Sequence, residues 1–229
     1  MGYLFDGSHW NPSNPMSIPS LIVAHAYLTL ISVGIGLVIA FPISLLISRT
    51  AAANASAIDP ARLYAPVVGF AGFLYTIPSL AFVAFLVPFT GLAPLTIVIP
   101  LVAYTQLVLI RNIVAGIRAV DPALVEVGRA MGMNRPQLQR RVVLPLALPV
   151  IVAGVRVTTV TTIGIATIAP WVGVQDIGTL IYQGINSGYY ADEISAGVLV
   201  VTAFAILVDL LLLGVQAALG RSRQVVPAR

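Results

Sequence analysis

The chain of 229 residues has no cysteine, no lysine among its twelve basic residues, and only 9% charged residues. Without cysteine there is no disulfide, no thiolate metal site and no cysteine nucleophile. The missing lysine fits a GC-rich coding bias and carries little mechanism. It also leaves no G-x-x-x-x-G-K-[ST] loop, so no nucleotide site of that kind lies in this chain. A soluble domain carries about 25% charged residues. With so few, 59% hydrophobic residues and a mean hydropathy of +0.99, this chain cannot cover itself with polar surface, and its solvent is lipid. The two histidines, His9 and His25, have no partners at metal-ligand spacing. Both read as structural, and no metal site is expected.

Residues 1–20 contain no arginine and include Asp6, His9, Pro12 and Pro15, the wrong chemistry for the positive start of a signal peptide. The first apolar segment is therefore expected to remain in the mature protein. A helix needs about 20 apolar residues to cross a hydrocarbon core of ~30 Å. Five segments qualify: 21–47, 63–89, 95–110, 146–169 and 194–219. Thr90-Gly91 turns the chain between the second and third. The second carries a break at Thr76-Ile77-Pro78-Ser79, where proline removes a donor and crowds the preceding turn. Neighbouring protein or a wet cavity must satisfy the groups so freed.

The arginines give the sidedness. Arg49 and Arg62 lie between spans one and two. Arg111, Arg118, Arg129, Arg135, Arg140 and Arg141 lie between spans three and four, and Arg221, Arg223 and Arg229 follow span five. The opposite side has none. The arginine side is cytoplasmic by the positive-inside rule, which places the N-terminus outside and the C-terminus inside. The high pI is thus read as orientation rather than nucleic-acid binding. Residues 170–193 hold Asp176, Asp192 and Glu193 and are not expected to form a sixth span. Trp10 and Trp171 fall near the outer interface. Arg156 is left inside span four, where a charge is expensive. Asp209 in span five lies at nearly the same depth, so the two are expected to pair, within or between subunits.

Residues 126–145 read EVGRAMGMNRPQLQRRVVLP. Asp121-Pro122 starts a helix well, with aspartate at the cap and proline in the first turn. Leu124, Val127, Gly128 and Met131 then form one apolar stripe, with Glu126 and Arg129 pointing elsewhere. Gly132 ends the helix. Asn134 caps a second helix, and Arg140 and Arg141 sit near its C-terminal end, where cations are favoured. The small residues Gly128 and Ala130 suit close approach by another protein. Physics alone leaves open a docking element or an amphipathic helix lying on the membrane.

The spacing Glu126, Gly132, Val142, Leu144-Pro145 resembles the EAA loop of permease subunits of binding-protein-dependent ABC importers. Val127 and Gly128 replace that loop's two alanines, and Val142 its isoleucine. The resemblance covers residues 20 to 215. Thr76-Ile77-Pro78-Ser79-Leu80-Ala81, the run 144–151, Gly154-Val155-Arg156, residues 163–167 with Gly173, and the segment from Asp176 are similar to the subgroup that imports quaternary-ammonium osmoprotectants. The resemblance implies an all-α, polytopic bundle of type I importer architecture in a bacterial inner membrane. The permease domain would span 21–219, with an external segment 1–20, a cytoplasmic coupling loop at 111–145 and a short basic tail at 220–229. It implies a permease for glycine betaine, choline, carnitine or proline betaine, with no catalytic residue of its own. ATP and Mg would be bound by two copies of a partner ATPase. The other partners would be a second permease copy or paralogue and an external substrate-binding protein. Residues Glu126, Val127, Gly128, Arg129, Ala130, Met131, Gly132 and Asn134 would contact the ATPase.

Span four holds Thr158, Thr159, Thr161, Thr162 and Thr167. Such residues either let helices pack closely in lipid or line a polar path, and both readings stay open. Pro78 is a candidate gate, and Tyr75, Ser79, Gln106 and Thr162 are candidate path residues. An aromatic ring attracts a quaternary ammonium ion. The alternatives are an importer permease for another small solute such as an amino acid, and a self-contained secondary transporter. The latter fits poorly with five spans and no internal repeat. A membrane-embedded enzyme would need more intramembrane acidic or histidine residues than Asp209.

Overall fold

Proline opens most of the helices of this chain, where its fixed φ and missing N–H cost nothing. The computed structural model describes residues 2–48 and 60–221, and every regular element in it is helical. A short helix α1 (Gly2–Phe5) and a 3₁₀ turn (Gly7–Trp10) precede α2 (Ile18–Ile47). Then come α3 (Pro60–Thr76), α4 (Ser79–Thr90), α5 (Pro94–Arg118), α6 (Pro122–Ala130) and α7 (Arg135–Leu138). A π-helical turn (Gln139–Val143) joins α7 to α8 (Leu144–Ala166). A 3₁₀ turn (Ala169–Val172), α9 (Gly178–Asn186) and α10 (Ala191–Arg221) complete the described residues. Arg49, Arg223 and Arg229 lie outside the described residues, as does most of the basic tail.

Four helices are long and apolar enough to cross a membrane. The pair α3 and α4, bent by 90° at its break, makes a fifth if it counts as one span. The bend falls where the proline was read. Two groups at the break have partners: the Tyr104 hydroxyl donates to the Ile77 carbonyl at 2.8 Å, and the Ile77 amide donates to Leu74 at 3.3 Å.

Helix α5 runs between α2 and α8 and supplies the centre of the core. Toward the cytoplasm Leu109, Ile110, Ile113 and Val114 pack on Ala40, Ile47, Ala147 and Ile151. Toward the outside Ile97 and Leu101 pack on Leu28, Val83 and Ala166. Small residues bring the backbones together, as expected where lipid supplies no hydrophobic force between helices. A Cβ on Gly36 would stand 2.1 Å from the Thr105 hydroxyl. Helix α10 packs on α8 and α9 and leaves Leu207, Leu210 and Leu211 exposed, the pattern of a lipid-facing surface.

The structure corrects three boundaries. Span three was read as 95–110, but α5 continues to Arg118. Arg111 and Arg118 therefore sit on a helix, and the loop read as 111–145 begins after 118. Arg118 lies over the Tyr64 ring at 4.6 Å, tying the end of α5 to α3, and a cation is favoured at that C-terminus. The second cytoplasmic helix does not end at Arg140 and Arg141. It passes through the π turn into α8, because nothing between Leu138 and Leu144 breaks a helix. Span four, read as 146–169, ends at Ala166, where Thr167 caps it and a 3₁₀ turn follows.

Candidate functional site

The cytoplasmic hairpin is built by its caps. The Asp121 carboxylate accepts from the Ala123 amide at 2.8 Å and starts α6. Gly132, at φ +79°, ends it. The Gly132 amide donates to Arg129 and the Met133 amide to Gly128, the paired bonds of a Schellman motif. Asn134 and Gln137 then exchange side-chain-to-backbone bonds of 3.0 and 2.9 Å, a capping box for α7.

These caps settle which face is free. Gly128 is buried against the chain itself, where an added Cβ would stand 2.6 Å from Leu138. It serves the α6–α7 contact, and close approach by a partner through Gly128 is not what this geometry provides. The rest of the apolar stripe faces away from the protein: Leu124 is 46% exposed, Val127 57% and Met131 71%. Glu126, Arg129, Ala130 and Asn134 are exposed beside it. A capped, rigid helix presenting aliphatic side chains and charges to the cytoplasmic side has the form of a docking element.

In the membrane, Arg156 on α8 and Asp209 on α10 face each other. The guanidinium donates through Nη2 to Oδ2 at 2.9 Å and through Nε to Oδ1. This two-point geometry is the strong form of the pair. About a third of each side chain remains exposed.

At the bend, the Tyr75 and Phe82 rings meet Tyr104 edge to face, with centroids 5.9 and 6.0 Å apart. Pro78 caps α4 and is exposed, and Ser79 is half-buried beside it. Gln106 and Thr162 point elsewhere. The Gln106 amide donates to the Gly36 and Val102 carbonyls at 3.3 and 3.0 Å, and the Thr162 hydroxyl donates to Thr158 at 2.8 Å. Thr158, Thr159 and Thr161 likewise bond carbonyls of their own helix. In this conformation these hydroxyls are satisfied within α8, and the structure does not bring Gln106 or Thr162 to the bend.

A further arrangement was not read from the sequence. His25 on α2 and Asp176, in the outer segment before α9, are both fully buried with Nδ1 2.9 Å from Oδ2. The two lie far apart in the chain, and neither has a local signature. Only the partner of a buried carboxylate could have been sought, and His25 sits at the same end of the membrane as Asp176. His9 has another setting, stacked on Tyr3 at 3.7 Å in the N-terminal cap.

Comparison with known proteins agrees with this architecture. The sequence profile of the binding-protein-dependent transport system inner membrane component family matches residues 50–225. The chain is 34% identical over 188 residues to the glycine betaine/carnitine/choline transport system permease protein OpuCB of Bacillus subtilis (strain 168), covering 82% of each. It is 33% identical over 219 residues to the osmoprotectant import permease protein OsmW of Salmonella typhimurium, covering 93% of this chain and 97% of that one. Among solved structures, an inward-facing conformation of the MetNI methionine ABC transporter superposes with a TM-score of 0.74 at 24% identity. That match covers 86% of this chain and 93% of the other, and it shows the shared fold.

Proposed function

The chain belongs to the family of binding-protein-dependent transport system inner membrane components, and we propose that it passes a small quaternary-ammonium osmoprotectant such as glycine betaine, choline or carnitine. The observation that carries the substrate class is the naming of relatives at 33 and 34% identity for these compounds. The methionine transporter, at 24% identity, supports an amino acid as substrate much less. As an inner-membrane permease the chain is not an enzyme, and ATP with its Mg belongs on a separate ATPase subunit.

That ATPase docks on the exposed face of α6, around Glu126, Val127, Arg129, Ala130 and Met131, with Gly132 and Asn134 holding the hairpin in shape. Two permease chains, identical or paralogous, form the pathway between them, and an external binding protein delivers the solute. ATP-driven closure of the ATPases moves the two hairpins together. The pathway then shifts between outward and inward access, as far as each ligand's differential affinity for the two states allows. The bend at Pro78, flanked by Tyr75 and Ser79, is the element that changes shape along the path. The selective site sits on the binding protein.

The test is copurification of the tagged chain, in wild type and in Glu126→Arg, followed by uptake of labelled betaine, choline, carnitine and methionine. We expect an ATPase to accompany the wild type and to be lost from the variant while the membrane chain stays monodisperse. We expect the first three solutes to compete with one another and methionine not to. A wild-type chain that purifies alone even after crosslinking sinks the ATPase docking. Competition by methionine alone moves the substrate to an amino acid.

A further inference from the structure

Four parts of the molecule meet at His25. Its Nε2 faces the carbonyl of Ile163, near the end of α8, at 3.1 Å. Its Nδ1 faces the Asp176 carboxyl in the outer segment, a short contact off the line of a ring N–H. Its ring lies edge-on to Phe204 of α10, 5.8 Å between centroids. On the far side, the other Asp176 oxygen accepts from the Gly178 amide at 2.8 Å, and the Thr179 hydroxyl accepts from the Asp176 amide at 3.0 Å. Asp176 thus caps the start of α9, and His25 serves a carbonyl at the end of α8 that the helix itself leaves open. The segment sits directly on that helix end: a Cβ on Gly178 would stand 2.0 Å from the Thr167 carbonyl.

Donor counting limits the proton content. A carbonyl only accepts, so Nε2 must carry hydrogen, and an amide only donates, so Oδ1 must accept. Between Nδ1 and Oδ2 two bare lone pairs at 2.9 Å would repel, so one proton lies there, on whichever side. Less than one leaves a carboxylate against a lone pair, and more than one leaves a buried cation with no counter-charge. The geometry points to His25 and Asp176 as a latch that holds the outer segment, from Asp176 into α9, shut on α2 and α8 by means of a single shared proton. The pair is a positioning device and touches no solute. It depends on the permease reading only for which side of the membrane is outer.

Burial pushes the Asp176 carboxyl up from its ordinary value, with His25 and the Gly178 amide pulling it partly back. No other titratable group among the described residues acts on it: α8 presents a carbonyl, α10 a phenyl ring and α9 an amide. The folded pair therefore keeps a proton that the unfolded carboxyl releases. By linkage its contribution is lost as pH rises through the folded value, and it also weakens below the ordinary carboxylate value, where the unfolded pair binds a second proton that the latch has no place for.

Hydrogen exchange of the peptide covering 176–180, in the full chain in nanodiscs and corrected for intrinsic rate, reads this without solute or partner. In wild type, exchange should speed up by as much as roughly tenfold per pH unit while pH climbs toward the folded value, the slope of one proton, and should level off above it. Asp176→Asn should stay protected and flat in pH. Its amide oxygen serves Gly178, its NH₂ donates to Nδ1, and neutral His25 serves Ile163, with no proton left to lose. His25→Phe keeps the ring but offers no donor, and should exchange fast at every pH or fail to fold. A flat wild type overturns the proposal, as does an Asp176→Asn protein that tracks the wild type, loses protection or does not fold. Loss of copurification or of betaine uptake would leave this result unaffected, so the two readings fail separately.

Discussion

A charged residue inside a membrane span needs a reason to stay, and Arg156 has one in Asp209. The two-point bond leaves both charges satisfied by each other, and removing one partner strands the other in a medium that solvates it poorly. Asp209→Asn and Arg156→Gln should each lower the thermal midpoint of the detergent-solubilised chain and its yield as a monodisperse species. The double replacement Arg156→Leu with Asp209→Leu should recover most of that loss, because two well-packed apolar residues need no counter-charge. A double variant less stable than both singles, measured by fluorescence-detected size exclusion after heating, would show that the charges do more than neutralise each other. This pair was legible in the sequence because depth along two apolar spans can be counted. His25 and Asp176 were not. One lies in a span and the other in a loop without helical period, so no count relates them.

At the level of elements, the π turn between α7 and α8 is the least expected feature. A π turn is an α-helix with one residue too many, here held by the Leu144 amide donating to Gln139. The extra residue sets the angle at which the hairpin leaves the rod, and α6 rests against this turn. Deleting Arg140 should heal the turn into regular α-helix and rotate α6 and α7 by about 100° around the axis of α8. We expect the variant to assemble in the membrane while the ATPase, if it still copurifies, hydrolyses ATP without driving uptake. Uptake at the wild-type rate would show that the turn does not orient the docking face. The caps of α6 and α7 were readable beforehand because aspartate, glycine and asparagine each act locally. The π turn was not, because proline and glycine mark breaks whereas an inserted residue leaves the composition of a helix unchanged. Gly128 likewise read as a surface residue until Leu138 was seen against it.

For the whole molecule, one continuous rod joins the hairpin to the far end of α8. From Arg135 to Ala166 the chain runs helically through 32 residues, about 48 Å at ~1.5 Å per residue, enough to cross the bilayer. A push on α6 inside can thus reach the helix end that His25 holds outside. The hairpin and the outer segment lie on opposite sides because the single span α8 joins them; which of the two is cytoplasmic rests on the arginine asymmetry, and the side of the N-terminus rests on counting α3 and α4 as one span. The chain has no cysteine, so single cysteines report the sides directly. Ser13→Cys and Ser187→Cys should react with a membrane-impermeant maleimide in intact cells. Ala130→Cys should react only after the cells are opened. Labelling of position 130 from outside would invert the topology. Labelling of 13 and 187 on opposite sides would mean that the bent pair α3–α4 enters and leaves by the same face, which would make it a re-entrant loop and leave four true spans.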